Sequence, residues 1–339
     1  MAARRDNRNL RIAVIGCGHW GKNHVRIFSS TPGVTLAAVV DPDARRRRAA
    51  LGGPRDVTQY RDTNALLAGE QLDAAIVATP AAAHYQPAAA CLRAGLDVLV
   101  EKPLCARVAD CRRLLALAKR HGRVLMAGHT FMYNPAVQKV KELLRTGACG
   151  KIYYLKARRT HLGLVREDVN AVWDLAPHDV YMFNHFLEAE PTQVTAIGGR
   201  YLSRKRADAA FINLKYPRGV IGNIIVSWAD SNKERIVEIV GSRARILFDD
   251  LNTLEPVRIF EKGIAAHIHA GTSFGEFKYS LRDGDIISPQ IRMSEPLKAM
   301  CDHFVECVRT RSRPLSDGRQ GMAVVRVLSL IEKRLGGGR

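Results

Sequence analysis

Asp174 and His178 have side chains that can transfer protons, and their spacing would place both on one face of a helix. They lie four residues apart in a segment, Trp173 to Leu187, whose pattern predicts a helix, so both side chains occupy one face near its start. Imidazole has the unperturbed pKa nearest neutrality, which suits a general base taking a hydroxyl proton. Asp174 would then orient the imidazole or extend a proton relay. The alternatives are an N-cap role for Asp174 and a partly buried, hydrogen-bonded His178.

Lys102 lies in a second charged group, Glu101-Lys102-Pro103, directly after the apolar run at 97–100. Parallel sheets bind ligands at the carboxyl ends of their strands. An ammonium group placed there would polarise or protonate a substrate oxygen. The alternative is a surface lysine at a strand–loop junction.

Three glycines predict a phosphate-binding turn. Gly16, Gly18 and Gly21 follow the apolar run at 11–15 and open a helical stretch at 22–30. In a G-x-G-x-x-G turn the first glycine permits the tight turn, the second admits a pyrophosphate, and the third allows close helix–strand packing. The free amide groups of the helix N-terminus would face the phosphates.

Asp41 ends the next apolar run, twenty positions after Gly21. A carboxylate there would accept hydrogen bonds from the adenosine ribose and repel a 2′-phosphate, which favours NAD over NADP. The alternative is a turn or cap role before Pro42. The basic stretch 45–48 leaves two interpretations open. Arg45 would hold the 2′-phosphate of NADP, or the stretch is the solvated face of a helix.

Short apolar runs alternate with helical segments over the first part of the chain, which predicts right-handed crossovers and a parallel sheet. The predicted strands are 11–15, 35–40, 73–79, 97–100 and 124–127, and the predicted helices are 22–30, 85–94 and 107–121. The expected fold class is α/β, with an N-terminal doubly wound Rossmann domain over residues 9–128.

The remainder, residues 129–335, is expected to form an α+β domain for substrate binding and oligomerisation, with a mostly antiparallel open sheet. Its predicted elements are helices at 135–144, 173–187 and 322–335, a strand at 152–159, and hairpins at 211–216 with 220–228 and at 235–240 with 244–248.

Five motifs together resemble the Gfo/Idh/MocA oxidoreductase family, over nearly the whole chain. They are the glycine motif, Ala78-Thr79-Pro80 with His84, Glu101-Lys102-Pro103, the stretch Gly128 to Pro135, and the stretch Trp173 to Asp179. In that family the lysine and the histidine, often assisted by the aspartate, lie beside the nicotinamide and the substrate carbinol. The resemblance therefore assigns catalysis to Lys102, His178 and Asp174.

The mechanism that the resemblance implies is removal of a sugar hydroxyl proton by His178, with hydride passing from that carbon to the nicotinamide. Lys102 would stabilise the oxygen. The residues expected to bind the cofactor are Gly16, Gly18, His19, Trp20, Gly21, Asp41, Arg45, Thr79, Pro80, His84, Glu101 and Lys102. The residues expected to bind substrate are Lys102, Tyr133, Asn134, Arg158, Arg166, Asn170, Trp173, Asp174 and His178, with Asp168 in the same polar segment.

The stretch Tyr133-Asn134-Pro135 and the stretch Trp173 to Asp179 resemble those of members acting on nucleotide-linked amino or N-acetyl sugars. We therefore expect an NAD-dependent dehydrogenase that oxidises ring C3 of a UDP-N-acetylhexosamine or uronate. The alternatives are an NADP-dependent ketoreductase of a sugar or cyclitol and a non-catalytic regulator that binds NAD(H). Members of the family commonly pair through the open sheet, so we expect a homo-oligomer, a tetramer or a dimer.

The 339 residues carry a formal net charge of +19, which admits nucleic acid, anionic membranes and phosphorylated small molecules as ligands. The sequence shows no nucleic-acid recognition motif and no apolar stretch near the roughly 18 residues that a spanning helix needs, so neither partner is expected. The seven cysteines are scattered, which favours reduced thiols in a cytoplasmic protein without a metal site.

Overall fold

The computed structural model describes residues 8–53, 56–163, 165–166, 169–202, 205–267 and 278–336, with side chains at 264–267 and 278–281 left aside. The chain divides into two compact units. One comprises Met1–Tyr133 and Glu295–Ser329, and the other comprises Asn134–Ser294 and Leu330–Arg339. The sequence predicts a single boundary, at 128/129, which assigns residues 295–329 to the second domain, whereas the structure groups them with the first unit.

The first unit contains a six-stranded, all-parallel sheet in the order β3-β2-β1-β4-β5-β6. Its strands are β1 (Leu10–Ile15), β2 (Val34–Val40), β3 (Thr58–Tyr60), β4 (Ala74–Val77), β5 (Asp97–Glu101) and β6 (Leu125–Gly128). The connecting helices are α1 (His19–Phe28), α2 (Ala44–Leu51), α3 (Thr63–Gly69), α4 (Tyr85–Arg93) and α5 (Val108–Arg120). Every residue of β4, β5 and β6 is buried, as expected for parallel strands covered on both faces. The predicted Rossmann sheet is confirmed.

The second unit contains an eight-stranded, mostly antiparallel sheet in the order β16-β13-β12-β11-β7-β10-β9-β8. Its helices are α6 (Pro135–Arg145) and α7 (Ala171–Leu187). Its strands are β7 (Ile152–Leu162), β8 (Gln193–Gly199), β9 (Ala209–Lys215), β10 (Ile221–Ser227), β11 (Ala229–Gly241), β12 (Arg245–Asp249), β13 (Val257–Phe260) and β16 (Ile286–Ile287), with β14 (Gly263–His267) and β15 (Lys278–Arg282) forming a separate hairpin. Both predicted hairpins are present, and β7 pairs with β10 in parallel.

Two further helices follow, α8 (Pro296–Thr310) and α9 (Gly318–Gly336). α8 packs against α1 and the 3₁₀ turn Thr130–Tyr133, which explains its place in the first unit. The seven cysteines are all free thiols and all buried, in agreement with their predicted role as small apolar residues. Within the described ranges, no helix combines the length and the apolar character that a bilayer crossing requires.

Candidate active site

The glycine turn between β1 and α1 has the geometry that its sequence predicts. Gly16 has a φ of +96°, and a Cβ there would lie 2.6 Å from the carbonyl oxygen of Ala78, so only glycine fits. A Cβ at Gly21 would overlap the carbonyl oxygen of Gly16, whereas Gly18 faces open space. Gly18 also gives α1 no side-chain cap, which leaves the first amide groups of the helix available to an anion.

Asp41 follows β2 and holds this turn in place. Its carboxylate accepts the backbone N–H of Cys17 at 2.9 Å and that of Asp43 at 2.9 Å, with 5% of the residue exposed. Asp43 is the residue that caps α2, so the structure excludes an N-cap role for Asp41. A carboxylate offers about four acceptor positions, so these two bonds leave capacity for a ligand hydroxyl.

The arginines that follow Asp41 differ in their surroundings. The Arg45 side chain is 86% exposed and lies 3.5 Å from the Asp43 carboxylate. Arg47 turns back and donates to the carbonyl oxygen of Asp41 at 2.5 Å. The structure therefore places Arg45 on a solvated helix face.

The loop after β4 carries Thr79, Pro80 and His84. The buried hydroxyl of Thr79 has no hydrogen-bond partner within the described part of the chain. His84 is 1% exposed, and its ring nitrogens lie 2.9 Å from the carbonyl oxygen of Pro103 and 2.8 Å from that of Thr79. Burial lowers the pKa of His84. His84 lies between the loop after β4 and the loop after β5, and because a neutral imidazole has one N–H, it donates to one of these two carbonyl oxygens.

His19 and Trp20 form the first turn of α1, with their rings 5.5 Å apart in an edge arrangement. Trp20 is 39% exposed, so its indole is accessible beside the glycine turn.

Gly16, Asp41, Thr79 and Lys102 each follow a strand of one parallel sheet, and their side chains or amides therefore gather at its carboxyl edge.

The Glu101-Lys102-Pro103 segment ends β5, and its Lys102–Pro103 peptide bond is cis. Glu101 is 5% exposed, and its carboxylate accepts the Lys102 backbone N–H at 3.1 Å. Lys102 itself is partly exposed. Burial first, and the charge of Lys102 second, lower the pKa of the neighbouring His129 to about 3. His129 is therefore a neutral imidazole beside the lysine at physiological pH.

In the second unit, α7 begins at Ala171, two residues earlier than predicted, with Asn170 as its N-cap accepting the Trp173 N–H at 3.0 Å. Asp174 is therefore not the cap. Pro177 lies inside the helix, in its second turn. A proline there cannot donate to the carbonyl four residues earlier, that of Trp173.

Asp174 accepts hydrogen bonds from two elements outside its own helix, among the partners that the described residues supply. Arg166 Nη1 lies 3.2 Å from its Oδ1, and Trp228 Nε1 lies 3.4 Å from its Oδ2. His178, four residues on, is partly exposed with its Nδ1 atom buried. Asp174, His178 and Arg166 are thus grouped at the start of α7, and Trp228, which the sequence did not indicate, joins them from the end of β10.

Three predicted substrate residues have partners inside the second unit. Asn170 Nδ2 and Trp173 Nε1 both donate to Oε2 of Glu332, at 2.7 Å and 3.1 Å. Arg158 forms an ion pair with Glu234 at 3.1 Å. Arg159, its neighbour on β7, bonds to α7, so Arg158 faces away from that helix because strand side chains alternate.

Tyr133 and Asn134 also have internal partners. The Tyr133 hydroxyl lies 3.0 Å from Oγ of Ser316, and burial raises its pKa. Asn134 caps α6 through its Oδ1, which accepts the Ala136 N–H at 2.9 Å. Both are nearly buried. Asp168 lies outside the described residues.

The carboxyl edge of the first sheet fits a dinucleotide. It combines a helix N-terminus with no side-chain cap, open space at Gly18, a buried carboxylate with acceptor capacity at Asp41, and a Thr79 hydroxyl that has no partner among the described residues. These are the features that hold pyrophosphate and ribose in Rossmann domains.

Comparison with known families and proteins agrees with this geometry. Residues 10–129 match the model of the oxidoreductase family with an NAD-binding Rossmann fold, GFO_IDH_MocA. Residues 137–247 match the GFO/IDH/MocA C-terminal domain. The chain is 30% identical over 243 residues to the UDP-N-acetylglucosamine 3-dehydrogenase of Acidithiobacillus ferrooxidans, covering 71% of this chain and 72% of that protein.

Two similarities extend over almost all of the chain. The D-apiose dehydrogenase of Paraburkholderia graminis is 26% identical, covering 96% of this chain and 86% of that protein. The solved structure of the UDP-N-acetylglucosamine 3-dehydrogenase GnnA from Acidithiobacillus ferrooxidans superposes with a TM-score of 0.80 at 25% identity, covering 96% of this chain and 98% of that one. The chain belongs to the GFO/IDH/MocA oxidoreductase family, and its N-terminal domain is an NAD-binding Rossmann fold.

Proposed function

We propose that this protein is an NAD-dependent dehydrogenase that oxidises ring C3 of a nucleotide-linked N-acetyl sugar or uronate. The observation that carries the proposal is its similarity to UDP-N-acetylglucosamine 3-dehydrogenase in both sequence and fold. The similarity to a D-apiose dehydrogenase supports a sugar hydroxyl as the reacting group.

The cofactor residues follow from the carboxyl edge of the first sheet. The turn at Gly16 and Gly18 would hold the pyrophosphate against the N-terminus of α1, and Asp41 would accept the adenosine ribose hydroxyls. The Asp41 carboxylate disfavours a 2′-phosphate, which is why we assign NAD rather than NADP. Bound NAD supplies the acceptor for the hydride that leaves the sugar carbon.

The oxidation removes a proton from the hydroxyl and a hydride from its carbon. We assign the proton to His178, and to its Nε2 because Nδ1 is buried. Lys102 Nζ would donate a hydrogen bond to the oxygen as it becomes a carbonyl. Asp174, held by Arg166 and Trp228, would fix the electrostatic environment of the imidazole one turn away.

The test is turnover with a matched panel of alcohols. The protein is incubated with NAD and, separately, with UDP-N-acetylglucosamine, free N-acetylglucosamine, a cyclitol and an aldopentose, and NADH is followed by its absorbance. We expect the UDP-sugar to give the highest kcat/KM, and trapping the product with borodeuteride to place deuterium at C3. Turnover of the cyclitol or the pentose alone would contradict the nucleotide-sugar assignment.

We also propose a homo-oligomer that pairs through the face of the eight-stranded sheet opposite α7. Ile197, Phe211 and Ile225 occupy one cross-strand row on β8, β9 and β10, and Ile197 and Phe211 are 78% and 53% exposed. Light scattering after size exclusion should give a dimer or tetramer, and the double variant Ile197→Asp with Phe211→Asp should lower the mass. A monomeric parent protein would contradict this.

A further inference from the structure

A cavity of about 370 Å³ lies within the second unit, at the end of α7 opposite to Asp174 and His178. Its walls are the last turns of α6 and α7, the turn that precedes β7, and the turn between β9 and β10. Pockets that bind small molecules have volumes of about 300–1,000 Å³. Leu187, at this end of α7, lies about 14 Å from His178 along the helix axis, so the cavity is separate from the proposed active site.

The floor of the cavity is apolar. It is formed by Phe186, Tyr216 and Val220, which are 4%, 2% and 9% exposed. The Tyr216 hydroxyl is bonded to Oδ1 of Asn184 at 2.9 Å, so it is already satisfied within the fold. The floor therefore favours a ligand with an apolar part, because covering apolar surface is favourable in water.

The rim of the cavity is positively charged. It carries the cations Lys141, Arg145, Lys151 and Arg218, and one carboxylate, that of Glu188. Lys141 Nζ lies 2.6 Å from Oε1 of Glu188, and this bond lowers the pKa of Glu188, so these two charges compensate each other. The described residues supply no ion-pair partner for the other three cations. An excess of positive charge therefore borders an apolar floor.

Arg218 has a backbone conformation that arginine disfavours. Its φ is +61° and its ψ is +18°, which is the left-handed region, where turns normally carry glycine, asparagine or aspartate. Glu188 on the same rim has a φ of +51°. Residues in this region occur preferentially at ligand sites, where the side chain has a use that offsets the strain. Since asparagine would suit the turn better, the requirements of the fold do not account for Arg218.

We propose that this cavity binds an organic phosphate, with its phosphate group against Arg218 and the neighbouring cations of the rim and its apolar part against the floor. A planar guanidinium can donate to two phosphate oxygens at once, and the floor distinguishes an organic phosphate from the free anion. The residues assigned to the cofactor and the sugar include none of the three uncompensated cations. The inference goes beyond the proposed function and does not depend on it.

The test titrates phenyl phosphate into the protein by calorimetry, with just enough NAD present to fill the dinucleotide site. We expect a dissociation constant of about 1 mM or tighter, as a ligand of this size allows. Inorganic phosphate should bind at least about tenfold more weakly, because it lacks the ring that the floor would cover. Equal affinities for the two probes, or no heat of binding at about 10 mM phenyl phosphate, would overturn the inference.

Arg218→Asn separates a ligand site from a structural role, because asparagine suits the left-handed turn and carries no charge. It should weaken phenyl phosphate binding at least about tenfold, the loss of a charge-assisted hydrogen bond. The urea concentration at the midpoint of unfolding should stay at or above the parent value. If Arg218→Asn does not fold, Arg218→Gly replaces it, since glycine suits the same φ.

Arg200→Asn is the matched control, because Arg200 is exposed in the same unit and does not line the cavity. It should change the affinity by less than about twofold at physiological ionic strength, whereas Lys151→Gln on the rim should weaken binding by about threefold or more.

Equal losses of affinity in Arg218→Asn and Arg200→Asn would indicate general attraction to a basic surface and would overturn the inference. An Arg218→Asn protein that binds phenyl phosphate as the parent does, or that loses both binding and stability, would overturn it as well. These measurements follow no sugar oxidation, so a failure of the proposed function would leave their outcome unchanged.

Discussion

Arg159 and Asp179 form a two-pronged ion pair inside the second unit, with Nε to Oδ2 at 3.0 Å and Nη2 to Oδ1 at 2.9 Å. Their side chains are 6% and 1% exposed. Asp179 directly follows His178 on α7, so this pair fixes the turn of helix that carries the proposed base against strand β7. The planar guanidinium matches the carboxylate geometry, which an ammonium would not do.

Replacing Arg159 with Leu should lower the free energy of unfolding by about 3–5 kcal/mol, because Asp179 would be left as a buried unpaired charge. Arg158→Leu is the matched control, since its pair with Glu234 lies on the other face of the same strand with the Arg158 side chain 46% exposed. That variant should cost less than about 1 kcal/mol. Urea denaturation measures both, and equal losses would show that burial of the Arg159 pair is unimportant.

Trp228→Phe should reduce turnover through Asp174. The change removes the indole N–H that bonds the carboxylate at 3.4 Å but retains an aromatic ring at a site 1% exposed. We expect kcat to fall about three- to tenfold, the equivalent of one hydrogen bond, with the KM for NAD unchanged.

The control for Trp228 is Tyr216→Phe, which also removes one buried donor, the hydroxyl bonded to Asn184 at 2.9 Å. Tyr216→Phe should lower the free energy of unfolding by about as much as Trp228→Phe does, but it should leave kcat at the parent value. If Trp228→Phe has the same kcat as Tyr216→Phe, the Trp228 indole N–H does not contribute to turnover.

Asp41→Ala should weaken NAD binding about 10- to 100-fold, the loss of a hydrogen bond to a charged acceptor, and should relax discrimination against NADP. Asp41→Asn keeps an acceptor for the Cys17 N–H but removes the charge. It should therefore relax discrimination with a smaller loss of NAD affinity. Calorimetric titration with NAD and with NADP measures these effects. If the preference for NAD over NADP is unchanged, Asp41 does not set it, and Arg45 is the next residue to test.

The free energy of unfolding should decrease as pH is lowered below neutrality, partly because of His185. Burial first, and the nearby charge of Lys141 second, lower its pKa from 6.5 to about 4. The unfolded state therefore binds a proton that the folded state does not between these values, so this part of the stability is intact above pH 6.5 and is lost as pH falls towards 4.

His185→Gln should therefore reduce proton uptake on unfolding by up to about one proton in that window. The measurement is the free energy of unfolding in urea at a series of pH values for parent and variant. Parallel curves for the two proteins would show that His185 does not titrate in this way.

The local sequence predicts most of the elements because their apolar periodicity is strong. β1, β5 and α5 were each predicted within one residue of their observed ends. The short β3 and α3 were missed because three to seven residues carry too little periodic signal. Helix α8 was missed although it is amphipathic, and its packing in the first unit joins residues distant in sequence.

Side-chain partners were the least predictable part of the site. Spacing placed Asp174 and His178 on one helix face, but the donor to Asp174 from Trp228 crosses 54 positions, and the bond between His24 and Glu101 crosses 77. No local pattern encodes such pairs. Arg158 shows the same limit, because alternation along a strand says that neighbours face opposite sides but not which side faces α7.

The most direct test of the account compares the parent enzyme with Lys102→Ala and His178→Ala, measuring kcat for UDP-N-acetylglucosamine oxidation and, on the same samples, the dissociation constant for NAD. The account predicts that each variant loses at least about 100-fold in kcat, as removal of an acid–base or oxygen-stabilising group does, while NAD affinity stays within about fivefold because the glycine turn and Asp41 are untouched. A His178→Ala enzyme that keeps most of its turnover would contradict the assignment of the base, and an equally active Lys102→Ala would contradict the assignment of the group that holds the reacting oxygen.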